Sequence, residues 1–512
     1  MFKKILIANR GEIAVRIIRT CRDLGIHTVA LYEANDRGSL HVRLADEAVL
    51  LKTDGAYLDQ DAVLKAALDS GAEAIHPGYG FLAERLDFIE ACQAAGLVFI
   101  GPPLDIMRAL QDKLAVLNRV RAADFPTPDY SPRSFTADQF DVLRAEADQL
   151  GYPVAVKSCL GGRGRGAYAA QTASQLDRAW RRSQTEAQIV YGDQCFYVER
   201  QITPAHLIGV QVLGDRHGQL IHLGEREGSL QRGNQKMIEE APAPCLSPDQ
   251  RTAIWQAAID IARLIGFVGV GTIEFTVDQA GRFYFTEVKP RIQIEHPVTE
   301  LISSVDIVRE QIRVAAGESL SVTQADVQLR GHAISCRIAA EDPWRHYLPS
   351  PGTLRRVRLP GGQGIRVDTY AYSGCAVPAQ YDPIVAKVMA WGVDRTEALH
   401  RIRRALDEIA LIGPATTLPI LQLIVRHPEF VSASYDTDSL RRDMPEDVLP
   451  EHEARELAVA AAIAYVRRTL TLQPTTPNAC NRVGIDRAGD CRSKSHEQNR
   501  RKYWWTRIRN RY

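Results

Sequence analysis

Gly271-Thr-Ile-Glu-Phe-Thr-Val277, the turn-forming Asp278-Gln-Ala-Gly281, and Arg282-Phe-Tyr-Phe-Thr-Glu-Val-Lys289 stand side by side in the chain. Two alternating runs around a polar, glycine-ending turn predict an antiparallel hairpin. Closed around that turn, the hairpin sets Glu274 opposite Phe285, with Glu287 two residues along on the same face at roughly 7–8 Å. Two carboxylates so placed offer hard oxygen ligands to a divalent cation such as Mg²⁺ and to the phosphates it carries. Two acids on a solvent face fit the spacing as well. Next comes Arg291-Ile-Gln-Ile-Glu-His-Pro297. If extended, it lines Arg291, Gln293 and Glu295 along one face, with Ile292 and Ile294 behind. A cation, an amide and a carboxylate in a row suit holding an anion and abstracting a proton; a surface ion pair is the alternative.

Outward from this stretch the chain reads as α/β. Ile5-Leu-Ile-Ala8 is a buried strand, Ile13, Ile17, Ile18 and Cys21 recur at helical spacing, and Thr28-Val-Ala-Leu31 is a second strand. That β-α-β opening predicts a parallel sheet. Ala72–Ile75 and Val98–Ile100 read as further strands, each running into a loop, and ligands gather at such strand ends. His76 in His-Pro-Gly-Tyr-Gly is read as a structural turn histidine. Tyr152-Pro-Val-Ala-Val-Lys157 is a strand leading into Gly161-Gly-Arg-Gly-Arg-Gly166, so Lys157 and the loop amides can reach phosphate oxygens. The order is not that of a Walker A loop, and alone it is a weak signal. Beyond Gly331, strands around Ile365–Thr369 and Ile384–Val388 precede a helix with a Leu399, Ile402, Leu406, Ile409 stripe, entered through an Asp394/Glu397 capping box variant.

The 512 residues, 45% hydrophobic, suffice for several buried cores. With 63 basic against 62 acidic residues, no overall field calls for nucleic acid or a membrane. No apolar run approaches a membrane span, and the N-terminus has no signal-peptide architecture, so a cytoplasmic location is expected. Nine scattered cysteines without a CxxC spacing are read as reduced thiols. The segment from Thr476 to Tyr512 carries ten Lys/Arg and three Asp/Glu, net +7, and is read as a disordered extension after an alanine-rich helix. Its Tyr503-Trp-Trp505 among arginines is weighed against RNA or membrane contact and taken as solvated.

Taken together, several segments resemble the biotin carboxylase family: the subunit of acetyl-CoA carboxylase and the matching domain of pyruvate and propionyl-CoA carboxylases. They are Ile7-Ala-Asn-Arg-Gly-Glu-Ile13, His41-Val-Arg-Leu-Ala-Asp-Glu47, His76-Pro-Gly-Tyr-Gly-Phe-Leu82, Glu239-Glu-Ala-Pro-Ala-Pro244, Arg291–Glu300, and Cys336-Arg-Ile338 with Glu341-Asp-Pro343. The likeness covers about residues 1–445. It implies a Rossmann-like N-terminal domain (1–112), an ATP-grasp domain (113–330) with a mobile lid at about 132–202, and a C-terminal α/β domain (331–446). A helical extension (447–473) and the basic tail (474–512) follow. It implies that Lys113, Lys157, Gly164, Arg165, Glu199, Ile202, Gln231 and Asn234 serve ATP, and that Glu274 and Glu287 hold Mg²⁺ or Mn²⁺. Lys236, Arg291, Gln293 and Ile294 would surround bicarbonate, with Tyr79 also lining the substrate site. Glu295 would be the base, and Arg291 and Arg337 would stabilise the biotin anion. The implied partners are a biotin carboxyl carrier protein, carboxyltransferase subunits and a second copy of the chain, with Arg16, Arg19 and Arg366 matching the family's dimer interface. The sequence has no Met-Lys-Met-type biotinylation site, so biotin is expected on a separate carrier.

The sequence also departs from the family. Leu160 and Arg163 replace glycines, where side chains disfavour positive φ and crowd a phosphate. His206-Leu-Ile-Gly-Val210 carries one extra residue and lacks the family's glutamate, and Glu227-Gly-Ser-Leu-Gln-Arg-Gly-Asn234 is altered around the retained Lys236. Lys289 stands where the family has a metal-binding Asn. Two readings follow: an active carboxylase of a divergent branch, or a nucleotide-binding subunit without turnover.

Overall fold

In the computed structural model the opening strand-helix alternation closes into a parallel sheet of β1 (Lys4–Ile7), β2 (His27–Tyr32), β3 (Glu47–Leu50), β4 (Ala74–His76) and β5 (Val98–Phe99). The order is β3-β2-β1-β4-β5. Successive residues of β1 point to opposite faces, and both faces are covered. Ile5 and Ile7 pack with Ile13, Ile17 and Ile18 of helix Gly11–Asp23. Leu6 packs on the other side with Val29, Leu31, Val63 and Phe88. The structure describes residues 1–443 except 53–54, 161–166, 193–194 and 234. The expected extension 447–473 and tail 474–512 lie outside the described residues, as do Arg163, Gly164, Arg165 and Asn234.

A three-stranded antiparallel sheet follows, with β6 (Val154–Ser158) between β7 (Ala167–Ala170) and β8 (Phe196–Arg200). Its apolar face, with Val154, Val156, Phe196 and Val198, meets Leu176 and Trp180 of helix Ala173–Tyr191. Leu160 bridges to Asp112, and its φ is not positive, so the strain expected there does not arise.

The largest sheet has eight strands. In chain order these are β9 (Ala205–Gly214), β10 (Leu220–Glu227), then, after the small hairpin β11 (Gln231–Arg232) and β12 (Gln235–Lys236), β13 (Ile238–Ala241), β14 (Gly269–Asp278), β15 (Phe283–Lys289), β16 (His332–Ala339) and the strands Ile365–Thr369 and Ile384–Gly392. The spatial order runs β15-β14-β9-β10-β13-β16 and then Ile384–Gly392 and Ile365–Thr369. Helix Pro248–Ile265 covers one face. Ser247 and Gln250 close its start as a capping box, and Gly266 ends it at φ 74°. Helix Arg395–Glu408 starts as the sequence predicts: Asp394 accepts from the Glu397 amide at 2.8 Å, and Leu399, Ile402 and Leu406 are buried.

The hairpin forms, but in a different register. Asp278 and Arg282 close the turn, and Phe275, not Glu274, faces Phe285. Thr286 is then an extra residue on β15, its Oγ1 donating to the Glu274 carbonyl at 3.0 Å. The bulge advances the partner strand by one residue, so Glu274 lies directly opposite Glu287 rather than diagonal to it.

Candidate active site

Glu274 and Glu287 are paired across the ladder on the face of β14 opposite Phe275, which enters the core. Among the described residues the hydrogen bonds and ion pairs to these two carboxylate groups run through one oxygen each. Glu274 Oε1 accepts from Gln293 Nε2 at 2.8 Å and meets Lys236 Nζ at 3.5 Å. Glu287 Oε2 meets Lys113 Nζ at 3.1 Å and Lys289 Nζ at 2.7 Å. Two half-buried acids facing each other are a suitable donor set for a hard divalent cation. Burial would raise the Glu287 carboxyl, but the ammonium groups of Lys113 and Lys289 hold it well below the usual range.

The strip after β15 is not a continuous strand. Pro290 to Gln293 is irregular, Ile294 and Glu295 form a turn, and helix His296–Ser303 begins there. Arg291, Gln293 and Glu295 therefore do not lie in a row. Gln293 reaches Glu274. Glu295 Oε1 takes Lys236 Nζ at 2.6 Å, and its Oε2 takes Arg337 Nη2 at 2.9 Å. Arg291 turns instead toward Glu84, Nε to Oε1 at 2.5 Å. Ile292 is buried as expected, whereas Ile294 is only half-buried and offers its carbonyl to Lys387 Nζ at 3.1 Å. Desolvation would make the Glu295 carboxyl a weaker acid; Lys236, Arg337 and Arg226 outweigh it and hold the group ionised, well below the ordinary range.

Of the described nucleotide-binding candidates, Lys157, Glu199 and Gln231 lie on strands, Lys113 opens the helix Lys113–Ala122, and Ile202 lies in a loop. Lys157 Nζ meets Glu199 Oε1 at 2.5 Å between β6 and β8, and Ile202 follows β8 in a half-buried loop. Gln231 pairs with Lys236 across the β11–β12 ladder. Tyr79 donates to Glu12, which also meets the fully buried Lys387 at 3.0 Å. His76 is structural, as read: its Nδ1 accepts the Gly78 amide at 3.1 Å, and burial pulls its pKa down to about 3, so it is neutral. Gly209 lies beside Glu274 across β9, so no carboxylate stands there. Arg16 and Arg366 converge on Glu300 at 2.9 and 2.7 Å, while Arg19 is exposed.

Sequence reasoning missed four participants. Arg226, 3% exposed, donates to Gln211, Thr299, Thr272 and Gln293 at 2.8–3.0 Å and so fixes the amide that orients Glu274. Glu239, buried beside Arg337, anchors the guanidinium that also touches Glu295. Glu84 and Lys387 complete the set. The alternation of Glu225, Arg226 and Glu227 within an apolar strand was the available signal for Arg226; Glu84 had none, because its partner is 207 residues away.

Three family models match the chain in order: the biotin carboxylase N-terminal domain over residues 1–107, the carbamoyl-phosphate synthase L chain ATP-binding domain over 112–323, and the biotin carboxylase C-terminal domain over 335–442. The biotin carboxylase of Nostoc sp. is 43% identical over 439 residues, covering 85% of this chain and 98% of that protein. The propionyl-CoA carboxylase alpha chain of Ruegeria pomeroyi is 42% identical over 501 residues, 92% of this chain and 73% of its own length. Among solved structures, the biotin carboxylase domain dimer of Hydrogenobacter thermophilus 2-oxoglutarate carboxylase, crystallised with MgADP, ADP and bicarbonate, superposes with a TM-score of 0.85 at 40% identity. That match covers 88% of this chain and all of the other. With both its acidic pair and its Lys236–Glu295–Arg337 cluster assembled on this scaffold, the chain belongs to the biotin carboxylase family of ATP-dependent ligases.

Proposed function

We propose that the protein carboxylates biotin, presented by a biotin carboxyl carrier protein, at the expense of ATP and bicarbonate. One observation carries the assignment of roles: a buried, ionised Glu295 gripped by Lys236 and Arg337. An anion entering between these cations takes over their charge. Glu295, released from them, becomes a stronger base toward the bicarbonate hydroxyl. Bicarbonate oxygen then attacks the γ-phosphorus of ATP, ADP leaves, and carboxyphosphate forms. Its breakdown gives CO₂ and phosphate, the phosphate removes the ureido N–H proton of biotin, and the nitrogen adds to CO₂. Arg337 would stabilise the charge that develops on the ureido oxygen, with Arg291, held by Glu84 in this structure, as the second cation. Lys113 and Lys157 hold the phosphates, with Glu199 and Ile202 beside the adenine and Gln231 nearby. A divalent cation between Glu274 and Glu287 would neutralise triphosphate charge. Arg226 keeps Gln293 aimed at Glu274 throughout.

The alternative of a subunit without turnover finds no support: Lys236, Glu295 and Arg337, the groups to which the reading gives the proton transfer, are in mutual contact. The chain pairs with a second copy through the surface that includes Arg19 and works beside carboxyltransferase subunits; the acyl acceptor belongs to those partners. Purified protein should release phosphate from ATP only with bicarbonate, and faster with free biotin. ATP cleavage indifferent to bicarbonate would overturn the proposal.

A further inference from the structure

Cys159 and Cys195 face each other at the end of the β6–β8 ladder, one step beyond the Ser158–Phe196 pair. The Cys159 amide donates to the Cys195 carbonyl at 2.9 Å. Their Sγ atoms are 2.7 Å apart, well inside the roughly 3.5–4.0 Å of ordinary van der Waals contact. Opposed residues of an antiparallel pair have Cα atoms about 4.5–5.5 Å apart, within the range of about 4.4–6.8 Å that a disulfide spans. The two positions are also chemically unequal. Cys195 is part-exposed, while Cys159 is 2% exposed. Both strands continue into nucleotide-binding candidates: Lys157 lies two residues before Cys159, Glu199 four after Cys195, and the Cys159 carbonyl accepts the Lys113 amide at 2.9 Å.

We propose that Cys159 and Cys195 are a reversible thiol–disulfide site, oxidised by low-molecular-weight disulfides, whose closure pre-organises the strands that present Lys157 and Glu199 to ATP. Cys195, as the reachable thiolate, attacks one sulfur of the small disulfide. A mixed disulfide forms, and one small thiolate leaves and takes up a proton. The Cys159 thiolate then attacks Cys195 Sγ, the protein S–S bond forms, and the second small thiolate departs with the other proton. Two protein thiols lose two electrons and two protons, and the small disulfide gains them as two thiols. Fixing the strand pair in advance removes part of the ordering cost of nucleotide binding, so the oxidised form binds ATP more tightly.

This inference rests on the placement of Lys157 and Glu199 at the nucleotide site, and its test separates the two. The full chain is equilibrated with mixtures of oxidised and reduced glutathione, alkylated, digested and mapped, and ATP affinity is measured for both forms. The expected result is a Cys159–Cys195 cross-link at ratios where the other cysteines still alkylate, reversed by dithiothreitol. ATP should bind about threefold tighter to the oxidised parent, with no change in Cys159→Ser or Cys195→Ser. Absence of the cross-link, or glutathione left on Cys195 without resolution, overturns the site. A cross-link with unchanged ATP affinity overturns the coupling. Failure of bicarbonate-dependent ATP cleavage in the reduced parent bears on the proposed activity alone.

Discussion

Lys289→Asn removes an ammonium that is 9% exposed and 2.7 Å from the Glu287 carboxylate, within the pair expected to hold a divalent ion. Two unit charges about 4 Å apart interact by roughly 4 kcal/mol at an effective dielectric near 20. The Glu287 side chain is 22% exposed, and screening by that water reduces the effect to about 1–2 kcal/mol, about tenfold in ion affinity. The parent is expected to bind one Mn²⁺ tightly in its ATP complex, with Lys289 neutralising phosphate charge in place of a second ion. The variant, with an amide oxygen instead of a cation, should bind two. Isothermal titration of Mn²⁺ into the ATP complex, without bicarbonate, reads both stoichiometry and affinity independently of turnover. Equal numbers of ions bound with equal affinity by parent and variant would refute the reasoning.

Glu295→Gln should abolish bicarbonate-dependent ATP cleavage while ATP affinity, measured by equilibrium binding, stays near the parent's; turnover at the parental rate would remove Glu295 as the base. Arg337→Ala should keep slow bicarbonate-dependent ATP cleavage but lose its stimulation by free biotin. Because it also strips Glu239 of its buried partner, the fold should weaken by about 3 kcal/mol in denaturant titration; undiminished biotin stimulation would contradict the role of Arg337. Glu240, buried against His332, Arg395 and Tyr435, has its pKa lowered to about 2. A depressed carboxylate contributes stability above its unfolded pKa near 4.3 and loses it as pH falls through the folded value. Acid unfolding of Glu240→Gln should therefore lack the part of the pH dependence between about 4 and 2 that the parent shows, and superimposable acid-unfolding profiles would contradict this.

Fold and chemistry were legible to different depths. Apolar strands such as Ile5–Ile7 and the Leu399–Leu406 stripe announce themselves, because period and burial are local properties of the chain. The Glu274–Glu287 pairing was legible as a hairpin but not as a register: Thr286 bulges out, and a hydroxyl–carbonyl hydrogen bond that stabilises a bulge leaves no pattern in a run of alternating residues. Reading 291–295 as extended failed for a related reason. Pro297, at the second position of the following helix, marked a helix start, and the turn at Ile294–Glu295 already belongs to that start. It is this turn, not strand alternation, that brings Glu295 to Lys236. Arg226 and Glu84 act across distances in sequence that no local window spans; only the packed sheet brings them to Gln293 and Arg291.

The continuity of the eight-stranded sheet bears on how this chain can be recombined with its relatives. The recognised ATP-binding segment ends at 323 and the C-terminal one begins at 335, which invites a splice between them. Yet β13 pairs with β16 directly across that line, from Ile238–Cys336 to Ala241–Ala333. A fragment ending there would bare the backbone edge of β13, and its complement the edge of β16, each a template for adhesion to other chains. A chimera that keeps Arg337 beside Glu239 must therefore take β9 through Gly392 from one parent, and crossover points belong before Ala205 or after the last strand.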